Sequence, residues 1–158
     1  MEQVNKARKE LTITRVFDAP REAVFEAFTT CKHLKNWWGP RAWPMSECTM
    51  DFRVGGVWHF CLRGPEGGES WGKAVYREIV KPERIVYTDY FSDKQGNIAP
   101  GMAESTITMK FEKQGAKTKL VGIGQYKTVE ALEHVVAMGV VQGIKETLDR
   151  LEEHLAKK

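Results

Sequence analysis

The segment from Thr128 to Lys157 contains no proline and repeats apolar residues at steps of three and four. This spacing predicts one amphipathic helix of about 28 residues, roughly 42 Å long at 1.5 Å per residue, with Thr128 as its N-cap. Such a helix must bury its apolar stripe against another element, and this requirement constrains the fold more than any other feature. The stripe comprises Val129, Leu132, Val136, Val140, Ile144, Leu148, Leu151 and Leu155.

Between residues 11 and 126 the sequence shows the alternation and turn signals of β-strands. Short turns join most of these segments, which favours an antiparallel meander. Two short helices are predicted between the first and second strands, one starting near Pro20 with Asp18 or Ala19 as its cap and one over 31–36. The predicted strands are 11–17, 45–52, 57–63, 69–80, 84–92, 103–112 and 117–126.

These elements predict an α+β fold in which a curved antiparallel sheet of six to seven strands grips the long C-terminal helix. That helix is the only predicted element long enough to cover the apolar face of the sheet. The Gly-Gly pairs at 55–56 and 67–68 are expected to allow bulges and bends. A length of 158 residues is typical of one domain, predicted over 1–158 with a core of 11–156.

Charge and composition limit the classes of partner. The formal net charge is +3, from 24 basic and 21 acidic residues interspersed along the chain. Neither a nucleic acid nor a membrane is an expected partner, because both favour a clustered basic surface. The start of the chain has no apolar signal region, and no stretch approaches the roughly 18 continuous apolar residues of a membrane span. A cytoplasmic monomer or weak homodimer is therefore expected.

The three cysteines, Cys31, Cys48 and Cys61, are widely spaced and form no C-x-x-C motif. An odd number at such spacing favours free, largely buried thiols in a reducing compartment. Neither Cys48 nor Cys61 has an adjacent basic motif that would make it reactive.

A sheet that curls around a helix often leaves an internal pocket, so we predict an apolar cavity between them. On the last strand, Gly122 and Gly124 face the same way as Leu120 and Tyr126. These glycines either open space above the sheet or permit a bend or close helix packing. The same two interpretations apply to 139 and 143, glycines that share one side of the long helix, and packing is favoured there.

The residues predicted to line the cavity are mainly aromatic residues, methionines and glycines. Trp37 and Trp38 precede a turn at an open end of the sheet, where indole rings suit a pocket rim, although core packing also explains them. The full predicted lining is Phe28, Trp37, Trp38, Met50, Trp58, Phe60, Trp71, Tyr87, Met109, Gly122, Gly124, Val135 and Met138.

Three polar residues, His59, Arg63 and Asp89, are candidates for the same cavity, with Glu104 as a conceivable partner. A role in acid–base catalysis would require one of them to lie near a substrate proton with a shifted pKa. The sequence contains no nucleophile elbow, phosphate loop, dinucleotide fingerprint or metal-ligand spacing. It therefore predicts no catalytic residue, no metal and no cofactor.

Five segments resemble the helix-grip superfamily, which includes the major birch pollen allergen, the steroidogenic-acute-regulatory lipid-transfer domains and the polyketide cyclases. Within it the chain is similar to the branch named after the C-terminal domain of the activator of heat-shock protein 90 ATPase. The resemblance extends over about residues 11–156. The segments are TRVFDAPREAVFEAFT (14–29), LKNWWGP (34–40), FRVGGVW (52–58), YREIVKPERIVYT (76–88) and GIKETLDRL (143–151).

The resemblance implies a hydrophobic cavity between sheet and helix and no shared catalytic residues. Isoleucine follows Gly143 where the family often has tryptophan, which is expected to alter the pocket wall. Three functions remain open at this point. They are binding of a small apolar or aromatic molecule, interaction with a chaperone, and an enzyme of the cyclase or dehydratase type that uses His59, Arg63 or Asp89.

Overall fold

The computed structural model describes residues 2–99 and 104–157, which form an α+β fold with one antiparallel sheet of eight strands. The sheet order is β1-β2-β8-β7-β6-β5-β4-β3. Strands are β1 (Glu2–Asn5), β2 (Glu10–Phe17), β3 (Met45–Met50), β4 (Val57–Arg63), β5 (Glu69–Val80), β6 (Arg84–Ser92), β7 (Ser105–Gln114) and β8 (Lys117–Tyr126). Helices are α1 (Arg21–Glu26), α2 (Cys31–Trp37), α3 (Val129–Ala137) and α4 (Val140–Ala156).

The N-terminal strand β1 was not predicted from the sequence. It pairs with β2 as a hairpin, and its residues are exposed, so it carries none of the apolar alternation that identifies a half-buried strand. Because β1 comes first, the two short helices lie between β2 and β3, the second and third strands. The predicted start of β7 at Ala103 lies outside the described residues.

The sheet is irregular at two places other than the predicted glycine pairs. The register shifts between Met45 and Glu47 on β3 and between Tyr76 and Glu78 on β5. Both Gly-Gly pairs lie in connections, with Gly55 and Gly67 at φ of +84° and +85°. These positive values suit tight turns rather than bulges within strands.

The C-terminal segment forms two helices, so the prediction of one continuous helix was wrong. Thr128 caps α3 as predicted, because its hydroxyl accepts a hydrogen bond of 3.0 Å from the backbone N–H of Ala131. Gly139 adopts φ +86° and separates α3 from α4. A Cβ at Gly139 would meet nothing within 4 Å, so close packing does not explain this glycine, contrary to the favoured interpretation.

Aromatic rings hold α1 and α2 against the sheet. Phe25 and Phe28 each lie 5.2 Å from the ring of Phe111 on β7, and Phe28 lies 4.8 Å from Trp37. The Trp37 Nε1 donates a hydrogen bond of 3.1 Å to the carbonyl of Ala27. The first helix begins at Arg21 with Pro20 as its N-cap and no side-chain cap, so the prediction of Asp18 or Ala19 as the cap was wrong. Full burial of Trp37 with its N–H satisfied makes this cluster a rigid support for one end of the sheet.

The cysteine prediction was wrong for two of the three residues. Cys31, at the start of α2, and Cys48, on β3, form a disulfide that closes a loop with a sequence separation of 17. Cys61 remains a free thiol and is buried. Since the pairing joins residues from different elements, no local motif marked it, and the cysteines no longer support a reducing compartment. No described helix is sufficiently long and apolar to cross a bilayer.

Candidate functional site

A cavity of about 500 Å³ lies between the inner face of the sheet and the helices; we refer to it as the main cavity. Its walls come from β2, β6, β7 and β8, with one residue each from β4 and β5, on the sheet side, and from α2, α3, α4 and the loop after α2 on the other side. The position is the one predicted, between the sheet and the C-terminal segment. Its volume is within the range of about 300–1,000 Å³ that is usual for small-molecule sites.

Strand alternation decides which side chains form the floor of the main cavity. On β7, Ile107 and Met109 face inward, whereas the neighbouring Lys110 is exposed. On β8 the inward residues are the predicted set, namely Leu120, Gly122, Gly124 and Tyr126. Alternate residues of a strand point to opposite faces, so these positions follow directly from the pattern.

The two β8 glycines line the floor of the main cavity beneath neighbouring side chains of the sheet. A Cβ at Gly122 would lie 3.2 Å from the Met109 Sδ, and one at Gly124 would lie 3.5 Å from the Ile107 Cδ1. These nearest atoms belong to the sheet rather than to a helix. Close helix packing therefore does not account for the glycines, and their missing side chains leave the space above the strand to Met109, Ile107 and Tyr126.

The break between α3 and α4 forms the opposite wall. Val135 and Met138 line the cavity before the break, and Gly143, Ile144 and Leu148 line it afterwards. Ile144 occupies the position where the sequence departs from the related pattern, and its side chain is part of the wall as expected. Met138 is 58% exposed, which places it at the mouth of the cavity.

One wall of the main cavity is polar. Asp89 and Tyr87 alternate inward on β6, opposite Ser105 of β7 and Tyr126 of β8. The Tyr126 hydroxyl interacts with the Ser105 side chain. The structure shows no hydrogen bond or ion pair to the Asp89 carboxyl from any described residue, which is unusual for a carboxyl in such surroundings.

Burial shifts the pKa of each ionisable group on this wall. Burial raises the pKa of Asp89 to about 7. Burial and the nearby Asp89 carboxyl raise the pKa of Tyr87 well above its ordinary value, and they also raise the pKa of Tyr126. Both tyrosines are neutral at physiological pH, so Asp89 is the group on this wall that changes charge near neutrality.

A second cavity of about 170 Å³, the side cavity, adjoins the main one. The predicted residues Phe60 and Trp71 line it, together with Gly72 and Tyr90. The walls shared by the two cavities are Trp38, Leu62, Ser70, Asp89 and Phe91. Asp89 therefore lies at their junction.

The predicted lining residues fall into three groups. Phe60 and Trp71 line the side cavity alone, whereas Met50 and Trp58 line neither cavity. The main cavity brings together Phe28, Trp37, Trp38, Tyr87, Met109, Gly122, Gly124, Val135 and Met138, with the polar candidate Asp89.

Met50 and Trp58 are core residues rather than lining residues. Trp58 is 3% exposed, stacks on Phe60 at 4.5 Å and contacts Trp38 at 4.8 Å. Met50 pairs with Trp58 across β3 and β4 and packs against the core. Of the two interpretations of Trp37 and Trp38, core packing applies to Trp37, which is fully buried, and the pocket rim to Trp38, which is partly exposed.

His59 and Arg63 do not face a cavity, so their prediction as polar cavity residues was wrong. The His59 ring stacks on Trp71 at 4.9 Å, and its Nε2 lies 3.0 Å from the Asp93 carbonyl oxygen. Arg63 forms an exposed ion pair with Glu69 at 2.6 Å. On β4 the inward positions are Trp58, Phe60 and Leu62, and the opposite parity turns both residues outward. Glu104 pairs with Lys127 rather than with a cavity group.

Sequence reasoning missed several lining residues that carried a usable signal. Ile144 and Leu148 belong to the apolar stripe of the predicted helix, and Leu11 and Ile13 belong to an alternating strand. Pro40 lies in the turn predicted after Trp38, but the sequence did not indicate that its side chain would line the cavity. Ser70 had no signal, because its place depends on the register of β5 with β4.

The sequence model of the family described as "Activator of Hsp90 ATPase homolog 1-like protein" matches residues 18–156. The match includes every helix and all strands from β3 to β8. The chain belongs to this family. The resemblance noted in the sequence is thereby confirmed, and the helix-grip arrangement of sheet and C-terminal helices is that of the family.

Solved structures similar to this family member cover nearly its full length. A solution structure of a protein from Arthrobacter aurescens has a TM-score of 0.93 at 24% identity, covering 100% of this chain and 92% of that one. A crystal structure of a Mycobacterium smegmatis protein has a TM-score of 0.92 at 25% identity, with coverages of 100% and 97%. A solution structure from Staphylococcus epidermidis has a TM-score of 0.82 at 29% identity, with coverages of 97% and 93%.

These structures establish the fold and name no ligand or reaction. Among proteins with curated descriptions, no significant match is found. The described residues also contain no group of three or more histidine, cysteine or acidic side chains that could hold a metal ion. An assignment of function therefore depends on the chemistry of the two cavities.

Proposed function

We propose that this protein binds a small, largely apolar molecule in the main cavity. The observation that carries the proposal is the cavity itself, about 500 Å³ bounded by apolar side chains from the sheet and from both C-terminal helices. Small-molecule sites are typically concave, mostly apolar and fixed by a few polar groups. The wall formed by Asp89, Tyr126 and Ser105 supplies such groups.

The glycines support this proposal, because they maintain volume that the sequence could readily fill. A fully dry void of this size would cost on the order of 10 kcal/mol, comparable to the whole stability of a domain. Gly122, Gly124 and Gly143 border the cavity at positions where a larger side chain would reduce that volume.

Titration with N-phenyl-1-naphthylamine, a neutral dye whose fluorescence rises in apolar surroundings, tests this proposal. The wild-type protein should bind the dye, and Gly124→Leu should weaken binding at least tenfold by occupying the space beside Ile107 and Tyr126. Gln125→Leu is the matched control, since it adds the same side chain to the exposed face of the same strand. Equal dye binding by both variants, with thermal unfolding showing that each is folded, would refute the assignment.

A second candidate function is catalysis of the cyclase or dehydratase type. Asp89 favours it, because a carboxyl with a pKa of about 7 inside an apolar cavity is suited to accept and return a proton. Of the residues once considered for this role, Asp89 is the one that lines the cavity. An Asp89→Asn variant that still binds the dye but no longer converts a candidate substrate into its cyclised or dehydrated product would support catalysis. An unchanged rate of conversion would exclude this residue.

A third candidate, interaction with a chaperone, rests on the description of the family. The family is named for proteins similar to an activator of the Hsp90 ATPase. The corresponding measurement is the ATPase rate of the chaperone with and without this protein. A rate increase that saturates with added protein would support the role, whereas an unchanged rate together with no complex by light scattering would eliminate it.

A further inference from the structure

Asp89 differs from the acidic side chains that form ion pairs at the surface, because the described residues give its carboxyl no basic partner. Glu69, Glu104 and Glu153 each form an ion pair with a basic side chain at the surface. Asp89 instead lies on an inner strand, between Ala74 of β5 and Ser105 of β7, and the described residues give it no partner. A polar group in an apolar wall without a partner costs free energy, so the position calls for a specific reason.

The cavity walls contain no positive charge that could balance this carboxyl. No lysine, arginine or histidine is present among the described residues that line either cavity. An ionised Asp89 therefore gives the main cavity a net negative charge. A fatty acid or another apolar anion would be repelled there, whereas an apolar cation would provide the missing partner.

Aromatic groups around Asp89 also suit a cation. Tyr87 and Trp38 line the main cavity beside the carboxyl, and their ring faces attract ammonium groups. The oxygen of the Tyr126 hydroxyl can accept a hydrogen bond from an N–H donor. The rest of the wall, including Ile107, Met109 and Leu120, accepts hydrocarbon.

We propose that the ligand of the main cavity is a hydrophobic amine, whose ammonium group pairs with Asp89 while its hydrocarbon part lies between β7, β8 and the α3–α4 break. The inference rests on the proposed binding function and specifies the chemical class of the ligand. Because Asp89 also borders the side cavity, the ammonium lies at the junction of the two spaces. A ligand with a small substituent on nitrogen fits this arrangement.

Several groups face Asp89 and bear on any pH dependence. Tyr87 and Tyr126 lie on β6 and β8, and Tyr90 lines the side cavity. From β7, the facing residue is Ser105, which does not titrate in this range. The α3 and α4 residues that line the main cavity are apolar or glycine apart from Thr147. Asp89 is thus the group whose ionisation changes between pH 5 and 9.

The direction of the pH dependence distinguishes an amine from a neutral ligand. An ammonium group requires ionised Asp89, so its affinity should fall about tenfold for each pH unit below about 7 and level off above it. A neutral carbonyl would instead accept a hydrogen bond from the protonated carboxyl. Its affinity would fall as the pH rises through the same range.

The test compares 6-phenylhexylamine, 6-phenylhexan-1-ol and 6-phenylhexanoate by displacement of the neutral dye between pH 5 and 9. At pH 8 the amine should bind at least tenfold more tightly than the alcohol, and the carboxylate more weakly than both. Asp89→Asn should lose the preference for the amine over the alcohol and its pH dependence, with both affinities measured against the variant's own dye affinity. Glu66→Gln, in an exposed loop, is the control and should retain both.

Three outcomes would overturn the inference. The first is an alcohol that binds as tightly as the amine, and the second is an amine preference that persists in Asp89→Asn. The third is an alcohol affinity that exceeds that of the amine and falls with rising pH. In each case dye binding leaves the proposed binding function intact. If neither the dye nor any of the three compounds binds the folded wild type, both proposals fail together. Asp89→Ser provides a second variant should the asparagine form not fold.

Discussion

The Arg150 Nη1 donates a hydrogen bond of 2.9 Å to the backbone carbonyl of Gly39. The same guanidinium reaches the carbonyls of Trp38, at 3.3 Å, and Asn36, at 3.1 Å. It therefore connects α4 to the end of α2 and to the turn that borders the main cavity. One side chain satisfies three carbonyls that the helix end would otherwise leave without partners.

Replacement of Arg150 by methionine should destabilise the protein by about 1–3 kcal/mol, because buried carbonyls lose their donor while the aliphatic packing is largely kept. Lysine should restore only part of the loss, since an ammonium cannot span three acceptors as a planar guanidinium does. Urea unfolding followed by circular dichroism measures the effect. Arg53→Met is the control, because Arg53 is exposed and, among the described residues, forms an ion pair with Asp51 alone. This substitution should change the free energy of unfolding by no more than about 0.5 kcal/mol.

Loss of the Cys31–Cys48 disulfide should lower the free energy of unfolding by about 3 kcal/mol, as expected for a closed loop of this length. The double variant Cys31→Ser/Cys48→Ser and the wild type treated with reductant should unfold at similar urea concentrations. Reductant should not affect the double variant further. A wild type that is insensitive to reductant would show that the bond contributes nothing to stability.

The Asp89→Asn substitution should stabilise the protein at neutral and alkaline pH, less at pH 5, and have little effect only below about pH 4. The folded protein holds the Asp89 proton up to about pH 7, whereas the unfolded chain releases it near the ordinary aspartate pKa of 3.8. The stability from this group is present below pH 4 and is lost as the pH rises through 7. At pH 9 the variant should gain up to about 4 kcal/mol over the wild type, less in proportion to solvent access from the cavity.

Urea midpoints at pH 5, 7 and 9 measure this difference. Glu66→Gln, which removes an exposed carboxyl, should follow the wild type at all three values. A gain that is the same at pH 5 and pH 9 would mean that the asparagine acts through packing and that Asp89 does not titrate in this range.

Two glycines of the C-terminal segment should respond oppositely to alanine. Gly139→Ala should cost about 1–2 kcal/mol, because its φ of +86° is unfavourable for a residue with a Cβ even though the surrounding space is open. Gly143→Ala should instead add up to about 1 kcal/mol, since this residue lies within α4 and its Cβ would meet Pro40 at an ordinary 3.7 Å. Thermal unfolding of the two variants gives the comparison, and equal shifts would contradict it.

Periodic patterns account for most of what the sequence predicted correctly. Alternation on β7 and β8 placed Ile107, Met109, Gly122 and Gly124 on the inner face, because the direction of a side chain depends only on position within a strand. The three- and four-residue spacing likewise located α4 and its apolar stripe. In β7, β8 and α4 the residues that the local pattern marks as inward-facing are the ones that the folded structure buries or turns toward the cavity.

The errors concern relationships between distant segments. His59 and Arg63 were predicted to face the cavity because their side chains are polar. The alternation of β4 instead turns them away from the cavities, as it does the buried Cys61. The pairing of Cys31 with Cys48 depends on how α2 packs beside β3. The break at Gly139 depends on a positive φ that a glycine allows but does not require. None of these features has a periodic signal.

The register of β2 has a consequence for how the chain assembles. Glu10 pairs with Gln125 and Phe17 with Thr118, so β2 finds its inner neighbour only at the end of the meander. A ribosome that adds 5–20 residues per second emits β8 roughly 100 residues later, or about 5–20 s after β2. During that interval β2, which carries the main-cavity residues Leu11 and Ile13, has no strand paired with it apart from β1. β1 thus pairs with one edge of β2, while the other edge has no partner until β8, the last strand, has been synthesised.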